Sequence, residues 1–372
     1  MCYTVTVNGN GIRNDHRCDE AHEGVAAVRK KVTIREVATA AGVSHQTVSR
    51  VINNRPDVAK ETRRRVWQVI EELNYQPSAI ARSLIRQRSF ALGVVTAGLK
   101  YVGPSRTLSG ITKQAEEMGY TLLLKELPGF HTNEIQPLLN SLVARQVDGI
   151  IWAVPEIGRN RDWLQSWLPG LHAPMIFLTM KNRPDLFIVS VDNYAGGRLA
   201  TEHLLEQGCK HIGHLSGPLD WWEARQRRSG WLHALREAGR EVGDHQWAPG
   251  TWSAASGERA VRRLRDSYPE MDGLFVANDQ MALGVLQVAC RDGLRVPQDL
   301  AVVGFDGIPE AAYYWPPLTT VYQDLRELGS TAVRELSQIV EAGHRGETGI
   351  PPKAISLNPE LVVRQSSASS KS

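Results

Sequence analysis

The sequence predicts a small all-α domain followed by a larger α/β core that contains two doubly wound parallel-sheet subdomains. Two observations support this fold class. Residues 33–74 carry helical periodicity in three short segments, whereas from Ser89 onward short apolar runs alternate with amphipathic helical patterns. Because strands that alternate with helices form parallel sheets, and eight or more strands exceed what one compact sheet needs, we expect two subdomains with a cleft between them.

The bulk composition is that of an ordinary globular protein. The 372 residues are 42% hydrophobic and 22% charged, which suits two or three domains. No apolar stretch approaches the roughly 18 residues of a membrane helix, so no membrane partner is expected. The four cysteines lack metal-ligand spacing, which favours a reducing, cytoplasmic setting without a metal site. Residues 1–31 lack the apolar run of a secretion signal and are interpreted as a disordered extension.

The first predicted domain begins with a capping box. Thr33 and Glu36 have the spacing of that motif, and Gly42 ends the first helix. A second helix follows Ser44, and a third is expected from about Lys60 to Leu73. Helix, glycine-containing turn and helix with a polar outer face is the layout of a helix-turn-helix headpiece.

The basic charge of this region favours nucleic acid as a partner. From Lys30 to Phe90 the sequence has 12 Lys and Arg against 5 Asp and Glu, although the whole chain carries only +3. A solvated charged face explains the same numbers equally well. The charge alone therefore does not decide between the two interpretations.

The core reads as repeated strand, helix and glycine units. Glycines at 119, 208, 239 and 293 follow helical patterns, such as the one from Leu108 to Met118, and predict helix ends. The apolar runs that predict strands are 90–95, 120–124, 149–154, 175–178, 188–191, 211–215, 273–277 and 301–305.

The predicted boundaries follow from these patterns. We expect a disordered extension (1–31), a helix-turn-helix domain (32–75), a hinge helix and linker (76–88), a core (89–366) and a tail (367–372). Within the core, the first subdomain is expected at about 89–190 and 324–352, and the second at about 191–323 and 353–366. The hinge helix is opened by Pro77 and is too short to be stable without DNA or a partner chain.

Five motifs in order along the chain resemble the LacI/GalR family of bacterial regulators, from about Val32 to Val363. They are 43–53, 75–84, 276–284, 302–306 and 317–321. The resemblance implies a periplasmic-binding-protein-like core and a transcription repressor that binds a palindromic double-stranded DNA operator as a homodimer. It also implies a small-molecule effector, most simply a sugar, bound between the two core subdomains.

Three alternatives stay open beside this hypothesis. A corepressor of the same fold would respond to a non-sugar effector. A periplasmic-type carbohydrate-binding protein would share the core but not the headpiece. A sugar-modifying enzyme would need a pair of catalytic carboxylates, and no GxSxG, P-loop or HExxH motif is present, so neither an enzyme nor a cofactor is expected.

The second headpiece helix carries the expected DNA contacts. Gln46 can bond a base edge, and Arg50 can bind guanine with two hydrogen bonds, although a surface salt bridge is the alternative for Arg50. His45 is expected at a base edge, at a phosphate or in solvent. The remaining side chains suit phosphates. They are Ser44, Thr47, Ser49 and Asn53.

The hinge contributes a second group of expected DNA contacts. The resemblance implies that Leu84 wedges into the minor groove and kinks the operator, a known use of apolar side chains. Without the resemblance, Leu84 is one apolar residue on a marginal helix. Ala79 and Arg82 complete the expected minor-groove face.

The resemblance also implies a ligand site in the core. The expected ligand-binding residues are Tyr101, Thr179, Arg227, Trp252, Asn278, Asp306 and Gln323. These side chains suit a sugar, which presents paired hydroxyls and one weakly apolar face. Alternative roles are a structural one for Asn278 and a helix cap for Asp306, whereas Asp192 is expected to cap a helix rather than bind ligand.

The pocket departs from that of the family member that the chain especially resembles. Thr179 stands where that protein has a hydroxyl-binding aspartate, Val191 and Leu325 replace aromatic residues, and Trp221 and Trp222 add bulk. We therefore expect a different sugar or linkage. A tetramer-forming C-terminal helix is also absent, which favours a dimer.

Overall fold

The computed structural model describes residues 32–52, 55–75, 88–130, 135–164, 168–171, 173–347 and 349–368. It divides into two compact units, one up to Arg82 and the other from Ser83 onward. Each unit is described separately below.

The first unit contains three helices, α1 (Ile34–Ala41), α2 (His45–Ile52) and α3 (Lys60–Glu72). Thr33 and Glu36 form the expected capping box, and Gly42 ends α1 in the left-handed conformation with a φ of 62°. The apolar faces of the three helices meet in one core. Its buried members include Val37, Val48 and Val66. The predicted helix-turn-helix is therefore confirmed.

The second unit contains two six-stranded sheets flanked by helices. The strands are β1 (Ala91–Ala97), β2 (Thr121–Leu127), β3 (Gly149–Ala153), β4 (Met175–Leu178), β5 (Phe187–Val191), β6 (Ile212–Ser216), β7 (Trp247–Pro249), β8 (Gly273–Val276), β9 (Ala301–Asp306), β10 (Thr319–Tyr322), β11 (Ala354–Leu357) and β12 (Glu360–Val362). The helices are α4 (Val102–Glu117), α5 (Gln136–Val143), α6 (Asn193–Glu206), α7 (Trp222–Glu237), α8 (Ala254–Ser267), α9 (Asp279–Arg291) and α10 (Leu325–His344).

Both sheets are doubly wound, as predicted. The first has the strand order β11-β5-β4-β3-β1-β2, and the second has the order β12-β10-β9-β8-β6-β7. All neighbouring strands are parallel except β12, which is antiparallel to β10. Each sheet buries an apolar cluster on either face, because its strands are covered by helices on both sides. Each subdomain is therefore a three-layer α/β sandwich.

The chain crosses between the subdomains three times. It crosses after β5, after β10 and between β11 and β12. The third crossing corrects the predicted boundary, because Ala354–Leu357 pairs with β5 in the first sheet although residues 353–366 were assigned to the second subdomain. The sequence between the two strands is too short for a helix and gives no signal of where the chain changes sheets.

The predicted tail also needs correction at its start. Ser367 was assigned to the tail, yet it is buried, and its hydroxyl bonds His203 Nε2 at 2.7 Å and Thr319 Oγ1 at 2.7 Å. Ser366 is equally enclosed and donates its hydroxyl to the carbonyl of Val302 at 2.6 Å. These hydrogen bonds attach the segment to the second sheet, so the folded core extends beyond residue 366.

Two features are absent from the described residues, a membrane-spanning helix and a metal-binding group. Among the described residues, no helix combines the length and the apolar character needed to cross a membrane. Within the same residues, no group of three or more His, Cys, Asp and Glu side chains is arranged to hold a metal ion.

Candidate functional site

Helix α2 exposes the side chains expected to read DNA. His45, Gln46 and Arg50 are exposed, whereas Val48 and Val51 are buried against the other two helices. Ser44 precedes the helix and accepts a hydrogen bond from the Thr47 backbone N–H at 3.1 Å. The buried valines fix the rotation of the helix about its axis, and the polar face therefore points away from the headpiece core.

The remaining predicted DNA contacts are placed as follows. Thr47 and Ser49 are half-buried on α2, and Ser44 is exposed. Arg50 forms a salt bridge to Asp57 with an N–O distance of 3.4 Å, but both side chains are more than half exposed. Such a pair contributes little stability, and Arg50 can exchange Asp57 for another acceptor. The other predicted contacts lie outside the described residues; they are Asn53, Ala79, Arg82 and Leu84.

A cleft of about 580 Å³ lies between the two core subdomains. Its lining segments follow the carboxyl ends of strands in both sheets, where ligands bind in parallel α/β folds. All seven residues predicted for the ligand site line this one cavity. They are Tyr101, Thr179, Arg227, Trp252, Asn278, Asp306 and Gln323.

One end of the cleft is a buried polar network centred on Asp306. Arg227 donates to the side chain of Asn193 at 2.8 Å, to the carbonyl of Ala277 at 2.5 Å and to Asp306 Oδ1 at 3.3 Å. Gln323 donates to the same Asp306 oxygen at 2.7 Å. Asp306 caps no helix here, so the capping alternative is wrong. Both donors hold the Asp306 carboxylate in a fixed orientation toward the cavity.

A second acidic side chain, Asp279, lies near Asp306 outside the cavity. Asp279 is fully buried and accepts hydrogen bonds from the Thr320 hydroxyl at 2.6 Å and from the Ile308 backbone N–H at 2.8 Å. Burial, together with the nearby charge of Asp306, raises the pKa of Asp279 to about 7. Asp279 therefore positions the loop after β9 and does not line the cavity.

Aromatic rings form another part of the cleft wall. The Trp221 ring lies 5.6 Å from Trp252, 5.9 Å from Tyr101 and 4.9 Å from Phe130, measured between centroids, and each pair is edge-to-face. Trp252 packs over Gly217, where an added Cβ would lie 2.1 Å from the indole. The absence of a side chain at Gly217 therefore allows Trp252 to present its ring to the cleft.

Three cavity residues have left-handed backbone conformations although they are not glycine. The φ angles are 56° at Thr179, 67° at Trp252 and 105° at Asp306. Such conformations cost free energy of the order of 1–3 kcal/mol each and persist where the surrounding structure requires them. Their concentration in one cavity indicates a site shaped for a task other than stability.

Asn278 combines a structural and a lining position. Its side-chain oxygen accepts from the Met281 backbone N–H at 3.0 Å and so caps α9, and its amide donates to the Trp252 carbonyl at 2.9 Å. The structural alternative for Asn278 is therefore confirmed, and the same side chain still forms part of the wall. The expected cap of α6 by Asp192 is also present, with the Ala195 backbone N–H at 2.8 Å.

Several wall residues were missed by the sequence analysis. Glu223, Asn193 and Thr107 line the cleft, as do the substituted positions Val191 and Leu325, whereas Trp222 does not. Glu223 lies one helical turn before Arg227 on α7, and that i,i+4 spacing was a usable signal. Asn193 and Thr107 carry no such signal, because their contribution depends on how the helices pack.

The sequence matches two family descriptions. Residues 33–78 match the bacterial regulatory proteins of the lacI family, and residues 201–367 match a periplasmic binding protein-like domain. The lactose operon repressor of Escherichia coli (strain K12) is 32% identical over 342 residues, which cover 91% of this chain and 94% of that protein. The HTH-type transcriptional repressor PurR of Actinobacillus pleuropneumoniae serotype 3 (strain JL03) is 33% identical, with 90% and 98% covered.

Solved structures of related regulators are similar to the structure of this chain. The lac repressor dimer bound to operator and the anti-inducer ONPF has a TM-score of 0.79 at 32% identity, with 91% of this chain and all of that chain covered. The complex of the transcriptional regulator CelR with cellobiose has a TM-score of 0.66 at 31% identity, with 90% and 100% covered.

A helix-turn-helix headpiece and a two-subdomain α/β core with a cleft are together typical of one class of DNA-binding regulators. The chain belongs to the LacI family of bacterial regulatory proteins. Like these relatives, it is a DNA-binding repressor and not an enzyme.

Proposed function

We propose that the cleft binds a neutral carbohydrate and that this ligand controls the affinity of the repressor for its operator. The observation that carries the proposal is the polar network of Arg227, Asp306 and Gln323 in the same cavity as the Trp252 ring. Carbohydrates present adjacent hydroxyl groups, which need oriented donors and acceptors. They also present a weakly apolar face, which packs on an aromatic ring.

The ring geometry favours a sugar over a planar heterocycle. A flat base binds best between two parallel ring faces, but the three aromatic rings that line the cleft meet edge-to-face, with interplanar angles of 74° and 73°. A puckered ring with hydroxyls on its edge fits this arrangement better. The CelR relative, whose structure contains cellobiose, adds support from the same fold.

The DNA partner of this proposal is a palindromic operator contacted by two headpieces. Gln46 and Arg50 on the exposed face of α2 are the candidate base contacts, and Ser44, Thr47 and Ser49 are the candidate phosphate contacts. His45 occupies the edge of that face and influences which base is preferred. Leu84 remains the candidate minor-groove wedge, as the family resemblance implies.

A homodimer is the proposed assembly. Leu283, Tyr313 and Trp315 are large apolar side chains left exposed in the second subdomain, with Tyr313 88% and Trp315 85% exposed. Exposed aromatic and aliphatic side chains of this size are typical of protein interfaces. The relative that binds operator as a dimer supports the same arrangement for this chain.

Ligand binding acts through the difference in ligand affinity between two conformations of the core. A coupling free energy of about 1–3 kcal/mol is typical and changes operator affinity by a factor of roughly 5–150. An inducer stabilises the conformation with low operator affinity. In the alternative corepressor mode, the ligand stabilises the conformation with high operator affinity.

The test is a thermal-shift screen of mono- and disaccharides, with every hit repeated in an operator gel shift. We expect at least one sugar to raise the melting temperature and to release the repressor from DNA. A sugar that tightens DNA binding would instead establish the corepressor mode. If no sugar shifts the melting temperature, the carbohydrate proposal is wrong, and the DNA-binding repressor remains.

The Arg227→Ala variant locates the binding site. We expect it to lose the sugar response and to keep operator binding, because Arg227 orients Asp306 in the cleft and lies far along the chain from α2. Arg236→Ala is the matched control, since Arg236 is exposed in the last turn of the same helix. A normal sugar response in Arg227→Ala would move the site elsewhere.

A further inference from the structure

Helix α3 of the headpiece carries a charged stripe with an exposed tryptophan near its middle. Trp67 is 42% exposed, although tryptophan is highly buried on average. A shallow groove of about 440 Å³ lies on this face of the helix. The residues that line it recur at helical spacing and form one stripe; they are Lys60, Arg63, Arg64, Trp67, Gln68 and Glu71. None of the residues predicted to contact DNA or ligand belongs to this stripe.

The order of charges along the stripe opposes the helix dipole. Lys60 and Arg63 lie in the first turn, where the positive end of the dipole favours acidic side chains. Glu71 lies in the last turn, which contains no basic residue, although basic side chains are favoured there. This order of charges is unfavourable for a helix on its own. It therefore indicates that the stripe serves a contact rather than the stability of the headpiece.

The charges at the two ends of the stripe are available for such a contact. Among the described residues, neither Lys60 nor Glu71 has an ion pair. Arg64 pairs with Glu61 at 2.8 Å, but both side chains are at least 80% exposed. A pair of this kind contributes little stability, so Arg64 can take a further partner at little cost.

We propose that this stripe binds the same stripe of a second copy of the chain, in antiparallel orientation, so that repressors on neighbouring operators bind DNA cooperatively. The stripe has the spacing of a coiled-coil seam, with steps of four, three and four residues between Lys60, Arg64, Trp67 and Glu71. When two such seams pair antiparallel, Lys60 faces Glu71 of the other copy, and Arg64 faces Trp67 of the other copy. Each contact occurs twice, because the pair has two-fold symmetry.

Both facing pairs are chemically matched. The Lys60 ammonium group and the Glu71 carboxylate carry opposite charges. The Arg64 guanidinium meets the exposed ring of Trp67, which is the favourable cation–π arrangement. The antiparallel orientation also brings the first turn of each helix to the last turn of the other. Each charge that is unfavourable on its own helix therefore meets a charge of the opposite sign.

The charges select both the partner and the orientation. In a parallel pair, Lys60 would face Lys60 and Glu71 would face Glu71, so like charges would repel each other. An acidic segment of another protein would match the cationic half of the stripe but would be repelled by Glu71. In the antiparallel pair Arg63 faces Gln68, a neutral side chain that can accept a hydrogen bond. The stripe is therefore complementary to itself.

The contact is small and acts only between repressors that are already close together. Helix α3 has 13 residues, so the face that it offers measures about 20 Å by 10 Å. A stable interface buries roughly 800 Å² on each partner, so two free repressors do not stay together through α3. On neighbouring operators the local concentration is of the order of millimolar, where a weak contact produces cooperative binding. No effector takes part, so the inference is independent of the carbohydrate proposal.

The experiment compares binding of the full-length repressor to DNA with one operator and to DNA with two, in the absence of effector. The wild-type repressor first selects its operator from a pool of random duplexes. The two-operator duplexes then cover spacings over one helical turn of about 10.5 bp. Gel-shift titrations give the cooperativity, which is the affinity for the second site divided by that for a single site. We expect about tenfold cooperativity at the best spacing and less than about twofold half a turn away, since the two stripes must face each other.

Charge exchange tests whether the stripe binds itself. We expect Lys60→Glu and Glu71→Lys each to lower the cooperativity below about twofold, because each places like charges opposite one another. The double variant Lys60→Glu/Glu71→Lys should restore it, since both copies then carry the exchanged pair. Both single changes suit the helix dipole, so the melting temperature should not fall. Arg65→Glu, an equal change of charge on α3 outside the stripe, is the control and should remain cooperative.

The outcomes separate self-association from other uses of the stripe. Trp67→Ala removes the ring that faces Arg64, and we expect the cooperativity to fall to about threefold. Wild-type cooperativity below about twofold at every spacing would overturn the inference. A double variant that stays as non-cooperative as Lys60→Glu would also overturn it and would point to an acidic segment of another protein instead. A loss of cooperativity in Arg65→Glu as large as in Lys60→Glu would contradict the role of the stripe.

Discussion

His214 is a fully buried histidine in the middle of β6. Its imidazole stacks on Phe275 at 4.7 Å and on Trp231 at 5.3 Å, with interplanar angles of 24° and 26°. Its Nδ1 lies 3.0 Å from the Phe275 carbonyl, which fixes the proton of the neutral ring on that nitrogen. Burial lowers the pKa of His214 to about 3, and the charges of Arg228 and Arg227 contribute in the same direction.

This depressed pKa predicts acid sensitivity of the fold. In the unfolded chain the pKa of a histidine is about 6.5. Below that pH the unfolded state binds a proton, whereas His214 in the folded state stays neutral. The unfolding free energy therefore falls as the pH drops. Between pH 7.5 and 5.5 we expect wild type to lose about 1.4 kcal/mol that His214→Phe retains. Urea unfolding at both pH values measures the unfolding free energy of wild type and of His214→Phe. His344→Gln, at an exposed position, should behave as wild type; an equal loss in His214→Phe would contradict the prediction.

Individual site residues were predictable where a motif carries them. The family resemblance implied the cleft positions of Arg227, Asn278 and Asp306, of which Asn278 and Asp306 lie within the resembling motifs. Glu223 was not recognised, although its i,i+4 spacing to Arg227 on α7 was a usable signal. A helix cap was the alternative role for Asp306, and the donors Arg227 and Gln323 decide against it.

Helices α6 and α7 approach each other through two glycines. A Cβ at Gly197 would lie 2.2 Å from the Arg227 carbonyl oxygen, and one at Gly230 would lie 2.2 Å from that of Tyr194. Neither position leaves room for a methyl group against backbone. The close contact between the helices therefore fixes where α7, and with it Arg227, lies relative to the cleft.

The Gly197→Ala variant tests this contact. The added methyl group pushes α7 outward, so we expect a loss of about 1–3 kcal/mol in unfolding free energy and weaker sugar binding, although Gly197 is not part of the wall. Chemical denaturation and calorimetric titration measure the two effects. Gly343→Ala, in α10 with no atom within 4 Å of the added Cβ, should be neutral or stabilising by up to about 1 kcal/mol. Wild-type behaviour of Gly197→Ala would exclude the contact as a determinant of the site.

The elements were predictable in proportion to their apolar signal. All eight runs expected to be strands are strands, because buried parallel strands are continuously apolar. The strands that gave no signal are short, such as β7 and β12 with three residues each. β10 was missed as a strand because Thr319 and Thr320 are polar, and both are nevertheless fully buried.

The assembly prediction belongs to the whole molecule. Replacing Leu283 or Trp315 with Arg places a charge on the apolar surface proposed for the dimer, so we expect a shift from dimer to monomer in sedimentation velocity. Operator affinity should fall at least tenfold, since two linked headpieces bind a palindrome more tightly than one. Val363→Arg, at another exposed apolar position, is the control. An unchanged dimer in both Leu283→Arg and Trp315→Arg would contradict the proposed surface.

The three crossings between the subdomains determine how the cleft can open. Two of them lead directly into helices capped by aspartates, Asp192 before α6 and Asp324 before α10. Asn193 and Gln323 lie at these crossings and line the cavity floor. When the two subdomains rotate about these crossings, the floor residues Asn193 and Gln323 move least. The rim residues Tyr101 and Trp221 move most. Substitutions at the floor should therefore alter how tightly a ligand is held, and substitutions at the rim how quickly it enters and leaves.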